Sequence, residues 1–372
     1  MTALQPRPGI LYINPYVPGK STVGGRAIAM KLSANESALG PSPKAIAAFE
    51  AVSGDLYRYP DGSSGSLRAA LASLHGLDAD NIVCGAGSDE LIYNLVRAYV
   101  GPGDEVLYSE HGFNIYPIAA LSVGASPVTA PETNLTADVD ALLARVTDKT
   151  KIVFIANPNN PTGSYVPVEE MARLRRRLPA ATLLVIDSAY AEYVIRNDYS
   201  PGIELVDAGE NTVMTRTFSK IYGLAALRIG WAYCPPATAD VLNRVRGPFN
   251  LSSAAQAAGE AALGDIGHIA ASRDHNSVWM PWLSDRLAGL GLTVMPSVAN
   301  FILVRFPSVK GHDASSAMAY FVENGVVPRE TSGYGLSDCL RITIGREDEV
   351  RAVAAIAAEF IKNRSQTCAN SI

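Results

Sequence analysis

Through the middle of the chain, short apolar runs alternate with stretches whose apolar residues recur at helical spacing. Runs 82–84, 105–108, 151–156, 182–187 and 212–217 predict β-strands. Between them, Leu91, Leu95 and Tyr99 share one helical face. Val168, Met171, Leu174 and Leu178 share another, with Pro167 placed for a first turn. Strand and helix in alternation predict an α/β fold whose mainly parallel sheet is flanked by helices on both sides. The end of the chain reads differently: 301–305 and 340–344 predict strands, with helices over 314–324 and 347–361 around them. That pattern predicts a second, smaller α/β domain built from the two chain ends. The expected division is residues 1–45 packing with the small domain, 46–250 as a large domain, and 251–372 as the small domain. The changeover falls near 247–253, before a long helical stretch.

A length of 372 residues supports this division, because one hydrophobic core seldom serves so long a chain. The formal net charge of −5 argues against a nucleic-acid partner, whose footprint is normally basic and clustered. The one basic run, Arg173 with Arg175, Arg176 and Arg177, lies on a predicted helix and is expected to be a solvated face. The first 20 residues are broken by prolines and lack an apolar centre, so no signal peptide is expected. No apolar run approaches the roughly 20 residues that span a bilayer. The four cysteines (Cys84, Cys234, Cys339 and Cys368) form no close pair, and neither they nor the histidines show metal-ligand spacing. A cytoplasmic protein with no metal and no membrane contact is expected.

Candidate chemistry concentrates just after the predicted strands, at the sheet edge where open α/β folds bind ligands. The first strand runs into Gly85-Ala86-Gly87-Ser88-Asp89-Glu90 and a helix. Glycines allow close backbone approach, and the N–H groups of a helix start attract phosphate. The third strand ends in Asn157-Pro158-Asn159-Asn160-Pro161-Thr162-Gly163, whose two X-Pro steps bracket the Asn160 amide. The fourth ends in Asp187-Ser188-Ala189-Tyr190. A carboxylate at the end of a buried strand needs a cationic partner, and a protonated pyridine nitrogen would serve. Tyr190 can bring a phenol to the same ligand. After the fifth strand, Lys220 sits among small and apolar residues, where desolvation lowers an amine's pKa and makes it nucleophilic. Thr217, Ser219 and Arg228 suit a phosphate.

The set N-P-N-N-P-T-G, D-x-A-Y, T-F-S-K and an arginine eight residues after the lysine resembles the fold-type I, class I/II aminotransferases. The resemblance implies pyridoxal 5'-phosphate as cofactor. Lys220 would carry it covalently and move the proton between the substrate's α-carbon and the cofactor's C4′. Asp187 would pair with the pyridine nitrogen, and Asn160 and Tyr190 would hydrogen-bond the ring's 3-oxygen. Gly87, Ser88, Thr217, Ser219 and Arg228 would cradle the phosphate with Asp89 nearby, and Phe113 would stack on the ring.

A narrower resemblance runs almost end to end. Pro15-Tyr16-Val17-Pro18-Gly19-Lys20, Leu32-Ser33-Ala34-Asn35-Glu36, Tyr57-Arg58-Tyr59-Pro60-Asp61-Gly62 and Leu340-Arg341-Ile342-Thr343-Ile344-Gly345 resemble histidinol-phosphate aminotransferases. This implies a homodimer in which Tyr59 reaches the cofactor phosphate of the other subunit, with Tyr16, Asn35, Arg329 and Arg341 on the substrate side. Arg341 would grip a carboxylate or a phosphate. Ser37-Ala38 after Asn35-Glu36, and Ser188 within D-x-A-Y, depart from the family pattern. An aromatic-amino-acid aminotransferase and an amino-acid-phosphate decarboxylase are the alternatives on this scaffold. A transcription regulator would add a basic domain ahead of the pattern, and a non-catalytic binding protein would not need so complete a set.

Overall fold

The computed structural model describes residues 4–15, 22–23, 26–27, 30–209 and 211–369. Seven strands form the central sheet: β1 (Ile82–Gly85), β2 (Glu105–Ser109), β3 (Ser126–Ala130), β4 (Thr150–Ala156), β5 (Leu183–Asp187), β6 (Thr212–Thr217) and β7 (Gly230–Tyr233). Their order across the sheet is β1-β7-β6-β5-β4-β2-β3. All pairings are parallel except those of β7, which runs antiparallel to β6 and β1. The five strands expected from sequence are present within a residue or so at their ends. β3 and β7 complete the sheet.

Both faces of the sheet are covered, which is why β4 and β5 read as continuous apolar runs. Val185, Phe154 and Ile152 point into one core, Leu184, Ile186, Val153 and Ile155 into the opposite one. Helices α1 (Pro43–Ala51), α2 (Gly65–His75), α3 (Ser88–Tyr99), α4 (Ile115–Ser122) and α5 (Val168–Arg177) lie on these faces. In α3, Leu91, Ile92, Leu95 and Val96 are buried, while Asp89 and Glu90 occupy the first turn and Arg97 the last, each complementing the helix dipole.

The basic run at the end of α5 is only partly a solvated face. Arg176 and Arg177 are exposed, but half-buried Arg175 donates to the carbonyls of Leu178, Pro179, Thr182 and Asn211. Four carbonyls, two just past the end of α5 and two before the neighbouring strands β5 and β6, give its guanidinium enough acceptors to hold it down.

Helix α6 (Ser253–Leu263) packs on α1 and α2, and its Ala255, Ala258 and Ala262 share a core with Leu67, Leu71, Phe218 and Trp231. Beyond it, α7 (Ile266–Gly289) leads to a four-stranded antiparallel sheet of β8 (Thr293–Val294), β9 (Phe301–Arg305), β10 (Arg329–Glu330) and β11 (Cys339–Thr343), in the order β8-β9-β11-β10. Helices α8 (Ala314–Glu323) and α9 (Glu347–Ala369) enclose a core of Ile302, Val304, Phe321, Leu340, Ile342 and Val353. The N-terminal segment joins this part: Met30–Lys31 pairs in parallel with Val326–Val327, and Leu32 enters the same core.

Candidate active site

Register places the chemistry at one edge. Asp187, the last residue of β5, lies opposite Ala156 of β4 and Thr215 of β6, while Gly230 of β7 lies opposite both Thr217 and Gly85. The loop after β4, the residues after β5 and β6, and the start of α3 therefore converge. They enclose a cavity of about 280 Å³. Ser88, Asp89, Phe113, Asn160, Asp187, Tyr190, Thr217, Ser219, Lys220 and Arg228 line it from the large sheet; Asn35 and Arg341 line it from the other side.

Asp187 is buried and accepts from the Tyr116 hydroxyl at 3.0 Å and the Thr215 hydroxyl at 3.2 Å. No ion pair reaches it among the described residues. Burial raises its pKa to about 6, against the pull of those two hydroxyls. Lys220 donates to the Ala34 carbonyl at 3.0 Å, and its ammonium lies 5.6 Å from the centre of the Tyr190 ring. Burial, helped by Arg341, lowers its pKa to about 8. The Tyr190 hydroxyl accepts from the Asn35 amide at 2.8 Å, and Asn35 itself holds a left-handed backbone (φ +55°). Buried Arg341 donates to the Ser33 carbonyl at 2.6 Å and to the Asn160 side-chain oxygen, with its guanidinium 5.3 Å over the Phe301 ring.

At the other end, Gly87 caps α3 with φ +83° and ψ 163°, a backbone conformation nearly exclusive to glycine. A Cβ there would collide with the Arg228 guanidinium. Arg228 donates to the Ser219 hydroxyl at 3.2 Å and lies 3.4 Å from the Asp89 carboxylate. The Thr217 hydroxyl donates to that of Ser219 at 3.0 Å. A helix start, two hydroxyls and a half-exposed guanidinium thus face one small volume.

Other expected residues lie elsewhere. Tyr59 is 82% exposed and stacks on Phe249 with ring centres 4.6 Å apart, away from the cavity. Arg329 sits opposite Arg341 on the neighbouring strand and does not line the cavity. Tyr16 lies outside the described residues. Some neighbours of the site were not anticipated. Tyr116 and Thr215 are the partners of Asp187, and Lys31 and Glu36, paired at 2.9 Å, form part of the cavity wall. Thr215 was accessible to register reasoning, since it lies two residues before Thr217 and faces the same way. Tyr116 carried no comparable signal.

Residues 27–356 match the family model described as aminotransferase class I and II. The chain belongs to that family and is a pyridoxal-phosphate-dependent aminotransferase. Within it, the chain is 59% identical over 361 residues to the histidinol-phosphate aminotransferase of Paramagnetospirillum magneticum, covering 97% of this chain and 99% of that one. It is 54% identical to the histidinol-phosphate aminotransferase of Rhodospirillum centenum over 96% of this chain and 98% of the relative. Among solved structures, that of histidinol-phosphate aminotransferase from Sinorhizobium meliloti in complex with pyridoxal-5'-phosphate superposes with a TM-score of 0.85. The match is at 34% identity and covers 91% of this chain and 92% of that one.

The cavity's residues suit this cofactor. An unpaired buried carboxylate (Asp187) suits a protonated ring nitrogen, and the cradle at the start of α3 suits a phosphate. A desolvated amine (Lys220) between them suits an aldehyde.

Proposed function

We propose that the enzyme interconverts histidinol phosphate plus 2-oxoglutarate and imidazole-acetol phosphate plus glutamate, in two half-reactions at one cavity. The observation that carries this reading is one cavity lined by half-buried Lys220 and by buried Asp187 and Arg341, with Arg228 at its phosphate-suited end. Similarity across nearly the whole chain to histidinol-phosphate aminotransferases supports the choice of substrate.

When bound, pyridoxal 5'-phosphate supplies an electron sink for charge developing at the substrate's α-carbon. In this reading Lys220 would hold the cofactor and would move the proton at the substrate's α-carbon. A pKa near 8 leaves a useful fraction of the amine neutral around neutral pH. Asp187 would hold the ring nitrogen's proton, while Asn160 and Tyr190 would hydrogen-bond the ring oxygen. Gly87, Ser88, Thr217, Ser219 and Arg228 would hold the phosphate, with Asp89 orienting Arg228 and Phe113 packing on the ring. Arg341 grips a substrate anion, with Tyr16, Asn35 and Arg329 assigned to the same side. Exposed Tyr59 belongs to the partner's phosphate site in a homodimer.

No described helix is long and apolar enough to cross a membrane, which fits a cytoplasmic enzyme. The small domain in this reading begins within α7 rather than at residue 251, because α6 packs into the core beneath the large sheet.

Parallel assays of the purified enzyme with histidinol phosphate and with phenylalanine, each with 2-oxoglutarate, test the substrate. Turnover of histidinol phosphate at the higher kcat/KM is expected. Activity confined to phenylalanine would overturn the assignment.

A further inference from the structure

The Tyr116 ring is fully buried and touches two parts of the cavity wall at once. It stacks on Phe154 of β4 with ring centres 4.5 Å apart and an interplanar angle of 5°. Its edge meets Phe113 at 5.9 Å and 87°, and Tyr108 at 5.9 Å and 62°. Its hydroxyl donates to Asp187. With three aromatic neighbours and one hydrogen bond, the ring has little freedom to rotate or withdraw.

We propose that Tyr116 is the positioning residue of this site, aiming the Asp187 carboxylate while bracing Phe113 against the opposite wall. The proposal rests on the reading that Asp187 meets the pyridine nitrogen.

Burial alone pushes a carboxyl toward its neutral form, and a neutral Asp187 could not hold a protonated ring nitrogen. Two hydroxyl donors oppose that drift. Tyr116 is the closer, and burial beside Asp187 keeps its own phenol protonated far above the ordinary range. Nothing else assigned to the site donates to this carboxylate among the described residues. The Thr215 hydroxyl, at the longer distance, is a weaker second. Because Phe113 leans on the same ring, removing the hydroxyl disturbs the carboxylate, whereas removing the ring disturbs both walls.

Tyr116→Phe keeps the stacking and deletes only the donor. Three measurements follow: cofactor affinity by titrating apoenzyme, the ¹⁵N shift of ring-labelled cofactor bound to the enzyme, and the side-chain ¹³C titration of Asp187 in apoenzyme. Loss of a hydrogen bond to a charged group predicts cofactor binding about tenfold weaker. The ring nitrogen should move toward its neutral shift at alkaline pH, and Asp187 should titrate at higher pH than in the unsubstituted protein. Thr215→Val should do the same more weakly, and circular dichroism should show Tyr116→Phe folded. Asp187→Asn is the control for the underlying reading. If it leaves the ¹⁵N shift unchanged, the placement of Asp187 fails. If Asp187→Asn moves the shift but Tyr116→Phe alters neither the shift nor the Asp187 titration, the role of Tyr116 is overturned.

Discussion

Adding a single methyl group at Gly87 probes the phosphate end of the cavity with little other change. The residue has φ +83° and ψ 163°, and its missing Cβ is the space into which the Arg228 guanidinium reaches. Gly87→Ala therefore acts twice. Holding alanine in that conformation costs on the order of 1–3 kcal/mol of stability. Displacing the guanidinium weakens a charge-assisted contact worth about 1.5–3 kcal/mol, which corresponds to roughly 10- to 150-fold weaker binding of a phosphorylated cofactor.

The two effects separate experimentally. Denaturant unfolding of the apoenzyme reads the first, and absorbance titration with pyridoxal 5'-phosphate reads the second. Gly76→Ala is the comparison: it has φ +67° at the end of α2, but open space where its Cβ would go. It should lose stability and keep cofactor affinity. In an Arg228→Ala background, Gly87→Ala should weaken binding much less than it does alone, since the group it displaces is already gone. Unchanged affinity in Gly87→Ala, or equal losses with and without Arg228, would refute this account of the cradle.

Further outcomes follow from the same geometry. The Lys220 amine of the apoenzyme should react with an amine-directed reagent in a profile rising through pH 8; its charged form dominates below that value and its neutral form above, and a midpoint near the ordinary lysine value of 10.5 would contradict the burial argument. Since the folded pKa lies below the unfolded one, this group makes the apoenzyme gain stability as pH rises from about 8 to 10.5. Arg341→Lys removes the planar fork and should raise KM for 2-oxoglutarate by about 10- to 100-fold, with little effect on cofactor affinity; an unchanged KM would take Arg341 off the substrate side. Tyr59→Ala should weaken cofactor binding while leaving monomer stability nearly unchanged, because the ring is exposed. Sedimentation should show a dimer, and full activity from a monomer would exclude the role given to Tyr59.

The fold was legible where apolar runs were long and ended in turn residues. β4 and β5 are buried on both faces, so their boundaries are written in the composition. β7 was not legible. It is four residues long, begins two residues after Arg228, and is fixed as a strand by antiparallel pairing to β6 and β1. β3 is an edge strand with partly exposed residues and a proline, which blurs its alternation. At the site, Lys220, Asp187 and Asn160 stood out because each follows a strand end. Tyr116 did not, since it lies within α4, where a tyrosine reads as core until its hydroxyl is seen to meet a carboxylate 71 positions away.

Arg341 takes the carbonyl of Ser33 across 308 positions of chain, and Lys220 takes that of Ala34 across 186. The wall formed by residues 33–36 is thus among the first parts of the site to leave the ribosome, and its partner on β11 among the last. At a typical elongation rate of about 5–20 residues per second, the interval is about 15–60 seconds. During that time the large sheet can form with Lys220 and Asp187 in place, yet the substrate-facing side remains open. The nascent chain therefore has the makings of a cofactor site well before it has a place for substrate, so cofactor capture during synthesis can precede catalytic competence.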